Sequence, residues 1–372
     1  VAELDENTSD HLLFCLTLHA AVAGDGQNSC FSPYSVASAL GLLSRAARGK
    51  TADELVSLLA RNFDGLRKLA VSLRGAATLD EAHGRDEPVL AVSNTLWALD
   101  ELPIEDGFRA ELAAWPGGQV ASAPFAADPE GARLMINADV AERTRGLIPE
   151  LLPPDSVDAE TVASLVNALY LRAAWVHKFT DGATEPADFH APGGVRKVPM
   201  MRQSELLGYG ARDGWQVVAM PAVGGVQAVV LLPDGDLAEA ESALDERSLA
   251  ALLSSPKTHT VGLSLPKFSL DVSTPLTEVC QGLGVREVFT RGGDLTGLTP
   301  DPRVYVSAIL HQAVLKIDEQ GLEGAAATAV MFRAMSMTSA DPVEVVVDRP
   351  FLLLVRHATT GMVYFFARVV EP

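Results

Sequence analysis

From His11 to Ala20 the apolar residues Leu12, Leu13, Leu16 and Ala20 recur at helical spacing and Gly24 follows as a stop, so the chain opens on a helix. Ser32 followed by Pro33 marks a second helix start, with a capping side chain and a proline in the first helical position. The run from Thr51 to Glu54 reads as a capping box ahead of Leu55, Leu58 and Leu59. The pattern then changes to strand-like runs at Ala91 to Leu99, Val162 to Leu171, Trp215 to Met220 and Val226 to Leu232. The last two flank Gly224-Gly225 as a hairpin does, and Phe351 to Arg356 and Met362 to Val370 form another hairpin around Ala358 to Gly361. A helical block followed by long, mostly antiparallel strands describes an α+β fold. No internal repeat and no Ser/Gly/Pro-rich linker interrupts it, so one domain spanning 1–372 is expected.

Charge narrows the partners. With 29 basic against 48 acidic residues the formal net charge is -19, which repels phosphate backbones and anionic membrane surfaces; neither nucleic acid nor membrane is expected as a partner. Arg67, Lys68 and Arg74 form a small basic group, but Asp64, Asp80 and Glu81 interrupt it, and it reads as a solvated helix face. Cys15, Cys30 and Cys280 are odd in number and without metal-site spacing, so they read as small core residues. The first twenty residues lack a basic start followed by an apolar run, and nothing approaches the ~20 apolar residues that span a bilayer. A soluble protein is expected, either cytoplasmic or secreted with its export signal already removed.

Enzyme motifs occur only in damaged form. Gly49-Lys50-Thr51 resembles the end of a phosphate-binding loop, but Ser44 stands where that loop needs its first glycine, leaving a nucleotide-dependent enzyme as a weak alternative. Gly262-Leu-Ser264-Leu-Pro266 ends in proline where a nucleophile elbow needs glycine. The histidines form no ligand cluster; His311, among Ile309, Leu310, Val314 and Leu315, reads as a hydrogen-bonded core residue. No cofactor, metal or catalytic residue is indicated.

The stretch from Glu319 to Ser336 is unlike the rest. In strand register Leu322, Gly324, Ala326, Thr328, Val330 and Phe332 share one side, while Glu323 and Arg333 lie on the other. One face suits burial, yet its glycines and small residues equally suit an exposed loop. Such a segment is able to occupy two places.

Asp318-Glu319-Gln-Gly321 leading into Glu323-Gly324-Ala325-Ala326-Ala327-Thr328 resembles the hinge of the serpin family. Asn28 to Ser35, Leu165-Val-Asn167 with Trp175, Phe179, Thr184 and Phe189, Val198 to Met201, Leu265 to Phe268 and Asp348 to Phe351 resemble further serpin motifs in the family's order. The resemblance implies three β-sheets, about nine helices and an exposed reactive-centre loop over about 319–342. It also implies a suicide-substrate inhibitor, not an enzyme: a serine protease attacks the bait residue, and the cut loop inserts as a new strand while carrying the acylated protease. The partner is thus a protease held covalently by a monomer.

Counting from Gly321 places the reactive bond at Met335-Ser336, with Met337, Phe332 or Met331 as alternatives if the register slips. An unbranched apolar bait suits chymotrypsin-like, elastase-like or subtilisin-like pockets. Ser32, Ser35, Asn167 and His311 match the family's polar cluster where strands must part, and Trp175, Lys267 and Glu319 match the place where the loop first enters. Leu322 and Gly324 depart from the small residue and the alanine usual in inhibitory members, and Ala367 replaces a usual glycine. The departures in the hinge keep open a non-inhibitory serpin acting as a carrier or structural protein.

Overall fold

The computed structural model describes residues 6–24, 26–81, 87–100, 102–112, 115–322 and 341–372. In chain order, helix α1 (Glu6–Val22) leads to strand β1 (Ser29–Phe31), then to α2 (Pro33–Ala46), α3 (Gly49–Leu59) and α4 (Phe63–Ala76). Next come β2 (Val89–Leu99), α5 (Asp106–Leu112), β3 (Gly118–Ala123), α6 (Pro129–Arg143) and β4 (Ala163–Ala174). A strand-rich half follows, with β5 (Glu185–Ala191), β6 (Gly194–Arg212), β7 (Trp215–Ala222), β8 (Val226–Pro233), α7 (Leu237–Ser242), α8 (Glu246–Ser254), β9 (Lys257–Pro266) and β10 (Phe268–Thr274). The chain ends through α9 (Leu276–Gly282), β11 (Ala308–Ile317), β12 (Gly321–Leu322), β13 (Val343–Val346), β14 (Phe351–His357) and β15 (Val363–Val369).

The helix starts show where local signals hold. Ser32 caps α2 as its spacing predicts: its Oγ accepts the Ser35 amide at 3.1 Å, with Pro33 in the first turn. The capping box at Thr51 to Glu54 does not form. Helix α3 starts at Gly49, two residues earlier, which frees Thr51 Oγ1 to accept the Asp294 amide at 2.9 Å and Glu54 to accept the amides of Arg286 and Glu287. Tertiary partners outbid the local cap, because the same side chains satisfy backbone donors of a packed neighbouring loop. Lys50 is paired with Glu287.

Both predicted hairpins form: Gly224 and Gly225 take φ of +88° and +72° between β7 and β8, and β14 pairs with β15. Among the described residues the strands make one six-stranded sheet, in the order β10-β11-β12-β4-β2-β3, and one nine-stranded sheet. The latter runs β1-β15-β14-β8-β7-β6-β9-β13, with β5 on β6. Two of the three sheets implied by the resemblance are joined here because β6, 19 residues long, continues from its pairing with β5 into its pairing with β7.

Helix α2 is buried between the sheets, touching β2 and β4 on one side and β15 on the other. Alternation along β4 divides the six-stranded sheet into two faces. Ala163, Leu165, Leu169, Leu171 and Ala173 join the main core around α2, as do Ile309, Ala313, Leu315 and Ile317 of β11. Val166, Ala168 and Val314 point the other way, into a separate cluster with Ala132, Ile136 and Val140 of α6.

Helix α6 therefore lies across the outer face of the sheet on its own small core. Asn137 ties it to the following loop, accepting the amides of Leu151 (3.1 Å) and Leu152 (2.8 Å) and donating to the Leu152 carbonyl at 2.9 Å. Arg133, 7% exposed, adds hydrogen bonds to Glu130, Glu150 and the same carbonyl. Asn137→Ala leaves these buried backbone groups unpaired and is expected to lower stability by about 3 kcal/mol. The measurement is the urea midpoint of the uncut protein, with a surface substitution on α6 as control.

Candidate functional site

Strands β4 and β11 are parallel neighbours at the centre of the six-stranded sheet, and their contact changes along its length. At one end Ala308 to His311 pair directly with Ser164 to Asn167. At the other end β12 stands between them, with Leu322 opposite both Ile317 of β11 and Ala173 of β4. The two strands are thus zipped at one end and wedged apart at the other.

The zipped end is sealed by a chain of neutral hydrogen bonds. The Ser32 amide donates to His311 Nε2 at 3.0 Å, which fixes the tautomer: the proton sits on Nδ1 and is donated to Asn167 Oδ1 at 2.8 Å. Asn167 Nδ2 donates to the Ser35 carbonyl at 2.9 Å and to Asn94 Oδ1, and Asn94 passes the chain on to the Pro116 carbonyl at 2.7 Å. Ser32, Ser35, Asn94, Asn167 and His311 are all buried. Sequence reasoning identified every member except Asn94. The signal was available, since Asn94 is a polar residue on an apolar strand and lies directly opposite Asn167 in the register.

Burial pulls the His311 pKa down to about 4. A second proton would also set Nε2–H against the Ser32 N–H, two donors facing each other.

The wedged end is built from the turn before β12. Asp318 Oδ1 accepts the amides of Gln320 (2.8 Å) and Gly321 (3.1 Å), which bends the chain back toward the sheet. Trp175 grips this turn twice, its amide donating to the Gln320 carbonyl and its indole Nε1 to the Asp318 carbonyl, both at 2.9 Å. Glu319 accepts from Lys267 Nζ at 2.8 Å and from Thr184 Oγ1 at 2.7 Å. Partial burial works to raise its pKa, but these hydrogen bonds outweigh that and lower it, so the carboxylate stays charged. Trp175, Lys267 and Glu319 are therefore brought together as one anchor.

Gly321 has to be glycine for steric reasons, since a β-carbon there would lie 2.3 Å from the Ala173 carbonyl oxygen. Leu322 is 1% exposed and joins the main core. The bulky residue at this hinge position is therefore accommodated as a buried apolar side chain. Glu323, Gly324, Ala325, Ala326, Ala327, Thr328, Met335 and Ser336 lie outside the described residues. Among the described residues no group of three or more His, Cys, Asp or Glu side chains is placed to hold a metal, and no helix is long and apolar enough to cross a membrane.

The neutral histidine gives the sealed end a pH dependence. Unfolded, His11 and His311 take up protons near pH 6.5; folded and buried, each does so only near 4. Between those values the unfolded chain binds protons that the folded one refuses, so stability falls as pH drops from 6.5 to 4 and this contribution levels off below. The loss is on the order of 3 kcal/mol per histidine. His311→Gln is expected to flatten the fall in melting temperature between pH 7 and 4.5 relative to the unsubstituted protein, as read by calorimetry.

Known proteins resemble this chain in sequence and in fold. The sequence matches the family profile described as Serpin (serine protease inhibitor) over residues 10–372. It is 31% identical to plasma serine protease inhibitor of Bos taurus over 98% of this chain and 90% of that protein, and 30% identical to Ipis-1 of Ixodes persulcatus over 99% and 100%. An uncharacterized serpin-like protein of Thermococcus kodakarensis is 28% identical over 96% of this chain and 84% of that one. Among solved structures, thyroxine-binding globulin in complex with thyroxine superposes with a TM-score of 0.84 at 25% identity, covering 98% of this chain and 99% of that one. Uncleaved ovalbumin, at 23% identity with coverage of 99% and 100%, shares the fold with a TM-score of 0.85. The chain belongs to the serpin family of serine protease inhibitors.

Proposed function

We propose that this protein is a suicide-substrate inhibitor of chymotrypsin-like or subtilisin-like serine proteases, cleaved at Met335-Ser336 and acting as a monomer. The observation that carries the reading is the position of Leu322, one residue deep between two strands that are zipped further along. That register defines where each later residue goes if β12 lengthens.

Continuing antiparallel to β4 from Leu322 opposite Ala173, Thr328 falls opposite Asn167 and Phe332 opposite Ala163. Gly324, Ala326, Thr328, Val330 and Phe332 then face the main core with Leu322, while Glu323 lies between Arg172 and Lys316 on the outer face. Small side chains suit a slot that has to open between packed strands. To admit Thr328, the hydrogen bond from His311 to Asn167 has to break.

The chemistry requires only the target's own machinery. The protease serine Oγ attacks the Met335 carbonyl; the Met335-Ser336 amide breaks, the Ser336 nitrogen leaves as an amine with the proton taken from that serine, and Met335 is left as an ester of the protease. Insertion then moves this ester along the length of β4, 12 residues or roughly 40 Å at about 3.3 Å per residue, and distorts the protease before water can cleave it. About ten new ladder hydrogen bonds at ~1 kcal/mol each release on the order of 10 kcal/mol, comparable to the stability of a whole domain. The uncut form is accordingly held by a barrier, at the His311–Asn167 seal.

A carrier reading draws on the likeness to thyroxine-binding globulin, which holds thyroxine. The two readings separate in one experiment, mixing with chymotrypsin followed by a denaturing gel and mass spectrometry. A covalent adduct of summed mass with a released fragment beginning at Ser336 is expected; a cut without adduct overturns the inhibitory reading. Thr328→Arg brings a charge to the buried slot beside His311 and is expected to lower the adduct fraction at least tenfold while cleavage continues.

A further inference from the structure

Helix α6 ends on a residue that its position does not favour. Thr144 closes the last turn, its hydroxyl donating to the Val140 carbonyl at 2.8 Å and accepting the Ile148 amide at 3.1 Å. Beyond it the Gly146 amide donates to the Ala141 carbonyl at 2.7 Å and the Arg145 amide to the Glu142 carbonyl at 3.1 Å, the two bonds of a Schellman cap. Such a cap needs a left-handed residue directly after the helix, a place usually taken by glycine because a β-carbon is crowded there. In this chain Arg145 takes it, with φ +53°, and Gly146 follows at +80°.

A side chain in a sparsely populated backbone region persists where its surroundings hold it. The Arg145 guanidinium carbon lies 5.5 Å from the centre of the Tyr170 ring, within the range of a cation–π contact. Among the described residues Arg145 has no ion-pair partner. Tyr170 belongs to β4 and is 3% exposed. By alternation it shares the outer face with Val166 and Ala168, which lie in the cluster under α6, and it stands two residues beyond them toward the wedged end of the sheet.

That position bears on how the sheet opens. Leu322 is opposite Ala173, so three residues of lengthening bring β12 level with Tyr170, beneath the end of α6. Asn137 and Arg133 tie the helix to its own following loop, which moves with it. Arg145 instead reaches across to the sheet, at the end from which the new strand arrives.

We propose that Arg145 is a positioning residue for insertion, latching the C-terminal end of α6 over the slot through Tyr170. While the latch is closed, the ring offsets the unfavourable backbone of Arg145. Once the entering strand disturbs Tyr170 that offset is lost, and the helix end is free to leave its left-handed turn, so release is all-or-none and the latch holds only until insertion has begun. The contact thus contributes to the barrier of the uncut form at a second place, distinct from the His311–Asn167 seal. Its effect on trapping rests on the inhibitory reading above; the latch itself does not.

Hydrogen exchange of the uncut protein, read by mass spectrometry on peptides covering the end of α6 and residues 168–173, tests the latch. Arg145→Gln keeps a side chain in the left-handed turn but removes the charge, and is expected to speed exchange there about fourfold. Arg145→Lys restores the cation and is expected to stay within about twofold of the unsubstituted protein. Adding Tyr170→Leu to Arg145→Gln is expected to change exchange less than about twofold, because one contact cannot be lost twice. Unchanged exchange in Arg145→Gln, or equal acceleration in Arg145→Lys, overturns the latch. The second readout is the rate at which uncut, soluble protein held below its melting temperature loses the capacity to form adduct with chymotrypsin. It is expected to rise about fourfold in Arg145→Gln and to return with Arg145→Lys; faster exchange with an unchanged loss rate overturns the role in insertion and leaves the contact a purely structural one. No adduct from the unsubstituted protein is failure of the inhibitory reading, and is told apart because exchange reports the latch without a protease.

Discussion

The pairing of β4 with β11 is the contact on which the rest of the molecule turns. Parallel strands in the middle of a sheet usually share a continuous ladder, and here the direct register ends at His311 and Asn167. The zipped length is short and its last bond is made by side chains as well as backbone. A neutral histidine and two asparagines are suited to such a seal. They are fully hydrogen-bonded while closed, and they carry no charge whose desolvation would make closing unfavourable.

The opposite end of the same strands is held by other means. Charge appears there, in Glu319 with Lys267, but in a partly exposed position where it serves to place the turn and adds little stability. Trp175 does more, since its buried ring fixes one carbonyl of the turn and its backbone amide a second, and so the direction in which Gly321 and Leu322 leave it. The steric demand at Gly321 follows from that direction, because the chain is brought up against the Ala173 carbonyl.

Helix α6 adds a third constraint. Its cluster is separate from the main core and rests on the outward residues of β4 and β11, so the strands cannot part without disturbing Val166, Ala168 and Val314 beneath the helix. The main core and this small one meet on one sheet, which allows one face to rearrange while the other keeps most of its contacts.

Periodicity and turn chemistry were enough to read the α+β class, the cap at Ser32 and both hairpins, because each depends on residues a few positions apart. The turn at Asp318 to Gly321 and the polar cluster around His311 were read through the resemblance. The failed capping box at Thr51 marks the limit, where a backbone amide of Asp294 claimed the hydroxyl. Asn94 was missed because its role exists only opposite Asn167, whereas the basic group on α4, read as a solvated helix face, is exposed, with Asp80 lying against another turn in space. By itself the sequence determined the local conformations and which residues are able to be buried. Register between distant strands, the partners of buried polar groups and the pairing of charges were decided by the tertiary structure, since hydrogen bonds and ion pairs act over a few ångströms of space whatever the separation along the chain.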